Sequence, residues 1–254
     1  MIKLKTEKDL ELLRESGAIL VRILLALKEK AKIGTNLLEL ETIARDMIRE
    51  AGAASAFLNY KSDNASRPYP AVLCTSLNDQ IVHGIPFDYS LREGDILKID
   101  CGVVYKERIT DAAITVPIGK TTEVAKKMIH TTEQALQKGI AAAKTKNVRL
   151  GDIGWAIENK IEENGFSVID GLTGHGVGFK LHEDPNVYNY GQKGEGMILK
   201  EGLVLAIEPM VSAGSSQITQ QEDGSYKTKD GSVSAHFEKT IAITKNGVEI
   251  LTAF

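Results

Sequence analysis

Apolar residues recur at helical spacing from the first turn of the chain. Leu10, Leu13, Gly17, Ile19, Leu20, Ile23, Leu24 and Leu27 fall near one face with charges between them, which predicts a helix over about 8–32. Gly34-Thr35-Asn36 is a stop followed by a new cap, so a second helix is expected over about 37–50, ending at Gly52. Ser, Asp, Asn, Arg and two prolines mark 61–70 as a loop. Strands are expected near 71–75, 96–104 and 109–117. The pattern then restarts, with an Ala- and Lys-rich helix over about 121–143 and a helix over 150–164 that ends at Gly165. Strands are expected near 177–180, 203–210 and 234–244, with a polar hairpin or loop over 212–232. No linker separates two composition regimes, so 1–254 reads as a single domain.

The restart is a repeat. With Gly52 set on Gly165, an offset of 113, Leu37 meets Leu150, Leu40 meets Ile153, Ile48 meets Ile161 and Glu50 meets Glu163. At an offset of 108, Arg92-Glu93-Gly94-Asp95-Ile96-Leu97-Lys98-Ile99-Asp100 matches Lys200-Glu201-Gly202-Leu203-Val204-Leu205-Ala206-Ile207-Glu208, with four identities. His83-Gly84-Ile85 resembles His175-Gly176-Val177. Each half, about 8–118 and 121–244, reads as two helices, a His-Gly strand and two strands carrying carboxylates. An α/β fold of two related halves is expected.

Composition narrows the function. Charged residues make up 26% of the 254, hydrophobic ones 43%, and the net charge is −3, with no basic face for nucleic acid. Two cysteines, Cys74 and Cys101, exclude a disulfide scaffold. Neither a signal peptide nor an 18-residue apolar run is present, so no membrane association and a cytoplasmic location are expected.

The chemistry lies in acids set among apolar residues. Asp100 and Asp111, on neighbouring strands, become direct cross-strand partners if the turn is centred between Tyr105 and Lys106. Glu208 ends the run Leu203–Ile207, and Glu238 lies inside the apolar stretch 233–243. Such charges are rarely buried unpaired. A surface reading would pair Asp111 with Arg108 and Glu238 with Lys239. Four carboxylates with one imidazole suit two divalent ions, manganese, iron, cobalt or zinc, better than a cysteine zinc site. Such a pair lowers the pKa of water and polarises a carbonyl.

His175, between two glycines, is the best imidazole ligand. His182 lies seven residues on and needs a bend near Lys180 to share its cavity, where it suits a donor to substrate oxygen. His83, beside Gly84 and Pro86, fits the same role from the other half. His130 and His236 read as structural or solvent-exposed. Gly119-Lys120-Thr121 lacks the first glycine of a phosphate loop, because Ile114 stands there. His182-Glu183 is not a zinc-protease helix, since Asn186 replaces the second histidine. There is no Gly-x-Ser-x-Gly, and Cys74 with His83 reads as pocket lining rather than a nucleophile pair.

In combination these residues carry a family pattern. Cys74–Pro86, the Asp100/Asp111 pair, Gly174–Gly178 with His182–Pro185, Ile207–Met210 and Ser234–Thr240 resemble the type I methionine aminopeptidases over nearly the whole chain. The resemblance implies a pita-bread α/β fold: antiparallel sheets at the core, pseudo-two-fold halves and helices outside. It implies Asp100, Asp111, His175, Glu208 and Glu238 as ligands of two divalent ions, cobalt, manganese, iron, zinc or nickel. It implies Glu208 as proton shuttle, His83 and His182 on the substrate, and Tyr69 and Cys74 in the pocket. The implied reaction removes the initiator methionine from nascent polypeptide N-termini with a small second residue, at the ribosome, by a monomer. The length suits a form without an N-terminal zinc-binding extension or the type II insertion.

Departures from the family pattern concern selectivity. The 61–68 loop is longer, Ser225-Tyr226 stands where a tryptophan is common, His236 replaces a frequent glutamine and Lys239 a frequent histidine. The rival readings are a proline-directed aminopeptidase or prolidase with the same metal set, and a non-catalytic module of the same fold.

Overall fold

A computed structural model describes residues 2–61, 67–145 and 147–253. The first half holds helices α1 (Glu7–Lys30) and α2 (Leu37–Glu50), then strands β1 (Ala54–Ser55), β2 (Leu73–Leu77), β3 (Gln80–Val82), β4 (Ile96–Tyr105) and β5 (Arg108–Pro117). The second half holds α3 (Glu123–Ala143), α4 (Leu150–Glu162), β6 (Ser167–Val168), β7 (Gly174–Gly176), β8 (Glu183–Val187) and β9 (Val204–Ile207). It closes with β10 (Met210–Ser212), β11 (Ile218–Gln220), β12 (Tyr226–Thr228), β13 (Ser234–His236), β14 (Lys239–Thr244) and β15 (Gly247–Ile250).

All described strand pairs are antiparallel. β4 sits between β2 and β5, while the second half builds the sheet β15-β14-β9-β7-β8. Each sheet hides its apolar face under its own helices. α1 and α2 bury Leu20, Leu24, Leu27, Leu37 and Leu40 against Leu97, Ile99 and Ile114. α3 and α4 bury Met128, Ile153, Ile157 and Ile161 with Leu205, Ile207 and Ile241. The amphipathic periodicity therefore reports this packing. No described helix is long and apolar enough to cross a membrane.

The sequence repeat has a backbone counterpart. Leu37 donates to Tyr89 and Leu150 to Met197; Gly94 donates to Ile118 and Gly202 to Ile243. Isolated bridges Asn36–Ser90 and Arg149–Ile198 occupy equivalent places. Gly94 and Gly202 both have positive φ, 95° and 84°, which explains why each Glu-Gly block keeps its glycine.

Four expectations need correction. β4 and β5 meet with Tyr105 opposite Arg108, so the turn is Lys106-Glu107, one residue later than expected. Asp100 therefore faces Ala113 and Asp111 faces Gly102, which makes the two carboxylates diagonal neighbours on one face. The expected strand at 177–180 is bent chain between β7 and β8. Glu208 and Glu238 lie in breaks, after β9 and between β13 and β14, rather than within strands. His83 follows β3 in a left-handed conformation, φ 61°, rather than on a strand. The expected long loop at 61–68 falls mostly on 62–66, outside the described residues.

Candidate metal centre

Five of the expected residues converge where the halves meet. Asp111 is fixed by Thr240, whose hydroxyl accepts from the Asp111 N–H at 3.0 Å and donates to its carbonyl at 2.7 Å. The Glu238 N–H donates to Ala113 across the same seam. Asn189 Nδ2 donates to the Glu208 carbonyl at 2.9 Å. Next to it, Pro209 brings no N–H to a ladder, so the strand opens at Glu208. The glycines around His175 have a steric reason. A Cβ on Gly174 would collide with the Ala206 carbonyl, and one on Gly176 with that of Asp184.

Ligand atoms of Asp111, His175 and Glu238 all lie within 4.8 Å of one another. His175 Nδ1 donates to the Gly176 carbonyl at 2.9 Å, so its Nε2 offers a lone pair. That nitrogen is 3.4 Å from Glu208 Oε1. Asp111 is 4% exposed, Glu238 2% and Glu208 9%. The surface-pair reading fails, because Arg108 pairs with Asp9 at 2.6 Å instead of Asp111. Lys239 Nζ donates to the Thr252 carbonyl at 2.8 Å.

The site's electrostatics ask for cations. Burial, reinforced by the neighbouring carboxylates, holds Asp111 and Glu238 well above the usual carboxylate range, and burial does the same to Glu208. Burial first, and the Glu208 charge, raise Asp100 to about 7. His175 is pushed down to about 3, mainly by burial. Asp100 Oδ1, Asp111 Oδ1 and Glu238 Oε1 are buried without a hydrogen-bond partner. Orphaned carboxylate oxygens around an aimed imidazole lone pair fit a divalent ion with oxygen and nitrogen ligands.

The centre opens into a cavity of about 1290 Å³. His175 and His182 stand edge to face at 4.5 Å, so the bend does bring both into one space. Tyr60 Oη lies 2.7 Å from His182 Nδ1. His83 packs on Tyr226 at 5.8 Å, and its ring donates to the Gly224 carbonyl. His83 reaches water through the cavity, so the downward push of its surroundings on its pKa is moderated. Phe57, Cys74 and Leu181 form an apolar pocket with Tyr60 and Tyr69. Tyr69 Oη is committed to the carbonyls of Leu73, at 2.8 Å, and Gly84, at 2.9 Å, so it shapes the wall. Burial pushes the Cys74 thiol well up, the opposite of nucleophile activation.

Sequence reasoning missed Tyr60, Phe57, Leu181 and His236. The first three are ordinary loop residues with no signal of their own. His236 is not exposed; it is 2% accessible and lines the cavity, whereas His130 is exposed on α3 beside Gln134.

A sequence model of metallopeptidase family M24 matches residues 11–245. The chain is 46% identical over 253 residues to a methionine aminopeptidase of Clostridium perfringens, covering 99% of each. The crystal structure of methionine aminopeptidase from Thermotoga maritima superposes with a TM-score of 0.94, at 38% identity and full coverage of both chains. The prolidase from Pyrococcus furiosus shares the fold at a TM-score of 0.78 and 22% identity, with 99% of this chain matching 65% of that one. The chain belongs to metallopeptidase family M24 and, within it, to the methionine aminopeptidases.

Proposed function

We propose that this chain removes the N-terminal methionine from nascent proteins and peptides whose second residue is small. The observation that carries the reading is the buried carboxylate set with the His175 lone pair, opening onto an apolar pocket. Asp100, Asp111, His175, Glu208 and Glu238 would hold two divalent ions. When bound, those ions supply Lewis acidity and a water of lowered pKa.

The protein groups do the rest. Phe57, Cys74 and Leu181 take up the apolar methionine side chain, with Tyr69 fixing the wall behind them. Glu208 takes a proton from the attacking water and delivers it to the leaving amine. Tyr60 donates to His182 Nδ1, so His182 Nε2 carries a proton and donates to the oxyanion. His83 spends its one proton on Gly224, so its other nitrogen accepts a substrate N–H rather than serving as the donor the sequence suggested. The enzyme acts as a cytoplasmic monomer on N-termini emerging from the ribosome.

The test is methionine release from Met-Ala-Ser by protein stripped with a chelator and resupplied with one divalent ion at a time. Metal-dependent release supports the reading. Cleavage of X-Pro peptides instead would support the prolidase alternative, and no cleavage with any ion would leave a non-catalytic module.

A further inference from the structure

His236 stands apart from the other imidazoles in the cavity. His83 is held by Gly224, His175 by Gly176 and His182 by Tyr60. Both ring nitrogens of His236 are buried and have no hydrogen-bond partner. The residue cannot easily swing away. Its N–H donates to Thr115 Oγ1 at 2.9 Å, and its carbonyl accepts from that hydroxyl at 2.6 Å. Thr115 lies on the strand that carries Asp111. The backbone that carries the ring is thereby tied to the metal centre's own scaffold.

What the ring faces is Glu208. His236 Nε2 lies 3.3 Å from Oε2, while Oε1 lies 3.4 Å from His175 Nε2. One carboxylate is bracketed by two imidazoles, one for each oxygen. The two rings play different parts. His175 sits with Asp111 and Glu238, its ligand atoms and theirs all within 4.8 Å of one another, whereas His236 faces the other oxygen of Glu208. At 3.3 Å the separation is just beyond the ordinary N–H···O range, so a small shift of either side chain completes the hydrogen bond.

We propose that His236 is a positioning residue for Glu208: its Nε2–H donates to Oε2, which leaves Oε1 for the divalent ion beside His175. The proposal rests on the metal-centre reading above. It gives Glu208 the outer partner that ligating carboxylates generally have, and loss of such a partner typically weakens metal binding by about 10- to 100-fold.

The test compares chelator-stripped wild type with His236→Gln, His236→Asn and His236→Ala. Mn²⁺ affinity is measured by calorimetry, the visible spectrum is taken with Co²⁺, and folding is checked by circular dichroism. A glutamine N–H reaches about as far as Nε2, whereas an asparagine N–H stops near Nδ1. The expected result is near wild-type affinity and spectrum for His236→Gln. His236→Asn and His236→Ala should lose about 10- to 100-fold in affinity and change the Co²⁺ bands. Wild-type affinity and spectrum in all three variants would show a packing role and overturn the proposal. Two imidazoles counted on Co²⁺ by X-ray absorption, one of them lost in His236→Gln, would make His236 a ligand and overturn it as well. If His236→Asn and His236→Ala do not fold, His236→Gln decides alone: retained affinity supports the proposal and a tenfold loss overturns it. Folded wild type that binds no Mn²⁺ would sink the metal-centre reading itself, an outcome separable from the others.

Discussion

Stripping the metal should expose a contribution from Asp100 that is lost as pH rises, and Asp100→Asn should remove it. In the metal-free protein Asp100 is raised from 3.8 to about 7, chiefly by burial and further by the Glu208 charge. A raised carboxyl binds its proton more tightly when folded. Its contribution is fully present below the unfolded value near 3.8 and is lost as pH climbs through about 7. A shift of about three units corresponds to at most about 4 kcal/mol at ~1.4 kcal/mol per unit, less where cavity water screens the group. In a chain of this size each kcal/mol moves Tm by about 2–4 °C, so the roughly 2.5 units that lie between pH 4.5 and 7 make Asp100 worth at most about 7–14 °C between pH 4.5 and 8. Asp9 and Glu249, held below the ordinary range by their partners, act with the opposite sign and below this window, while burial pushes His175 down to about 3 and His236 to about 4, so these imidazoles act with the opposite sign inside it and the difference in slope between wild type and variant is what isolates Asp100. The assay is thermal denaturation of chelator-treated wild type and Asp100→Asn across that pH range at fixed ionic strength. A less negative pH slope of Tm for the variant than for wild type, with Mn²⁺ restoring the wild type at pH 8, is expected. Identical pH slopes would refute the reasoning.

Other predictions follow from single contacts. His175→Ala should abolish metal-dependent methionine release, and full retained activity would remove His175 from the ligand set. Tyr60→Phe loses the donor to His182 and should lower kcat about fivefold, the worth of ~1 kcal/mol, with KM little changed. Steady-state kinetics on Met-Ala-Ser checks it, and an unchanged kcat would show that Tyr60 does not orient His182. Gly176→Ala drives a Cβ into the Asp184 carbonyl and should cost ~1–3 kcal/mol, read as a lowered Tm and weaker Mn²⁺ binding; unaltered values would mean that the backbone relaxes freely there.

How far the sequence carried depends on which physical force left its mark in residue types. The helices were legible because burying one face demands helical spacing, and α2 spans Leu37–Glu50 as expected. The β4–β5 register was not legible. Its turn places Lys106 and Glu107 at positive φ, 46° and 62°, without the Asn-Gly signal that normally marks such a turn. Even so, Asp100 and Asp111 share a face, because a register error of two positions along a pleated strand preserves sidedness. The breaks at Glu208 and Glu238 were hidden inside continuous apolar runs, although Pro209 marks the first in retrospect. His175 was legible because glycines on both sides report close backbone approach. His236 was not: a lone histidine between Ala235 and Phe237 carries no sign of what it faces across the sheet.

The central claim is that the buried acids and His175 build a metal centre that serves removal of N-terminal methionine. The most direct measurement is methionine release from a panel of Met-Ala-Ser, Met-Leu-Ser and Ala-Pro-Ser by chelator-stripped protein reconstituted with Mn²⁺, Fe²⁺, Co²⁺, Ni²⁺ or Zn²⁺, with bound metal quantified in the same samples. The account predicts no release without metal and release from Met-Ala-Ser well above Met-Leu-Ser with at least one ion. It also predicts no cleavage of Ala-Pro-Ser and up to two ions bound per chain. Release that is undiminished in the stripped protein, or preferred cleavage of Ala-Pro-Ser, would contradict it.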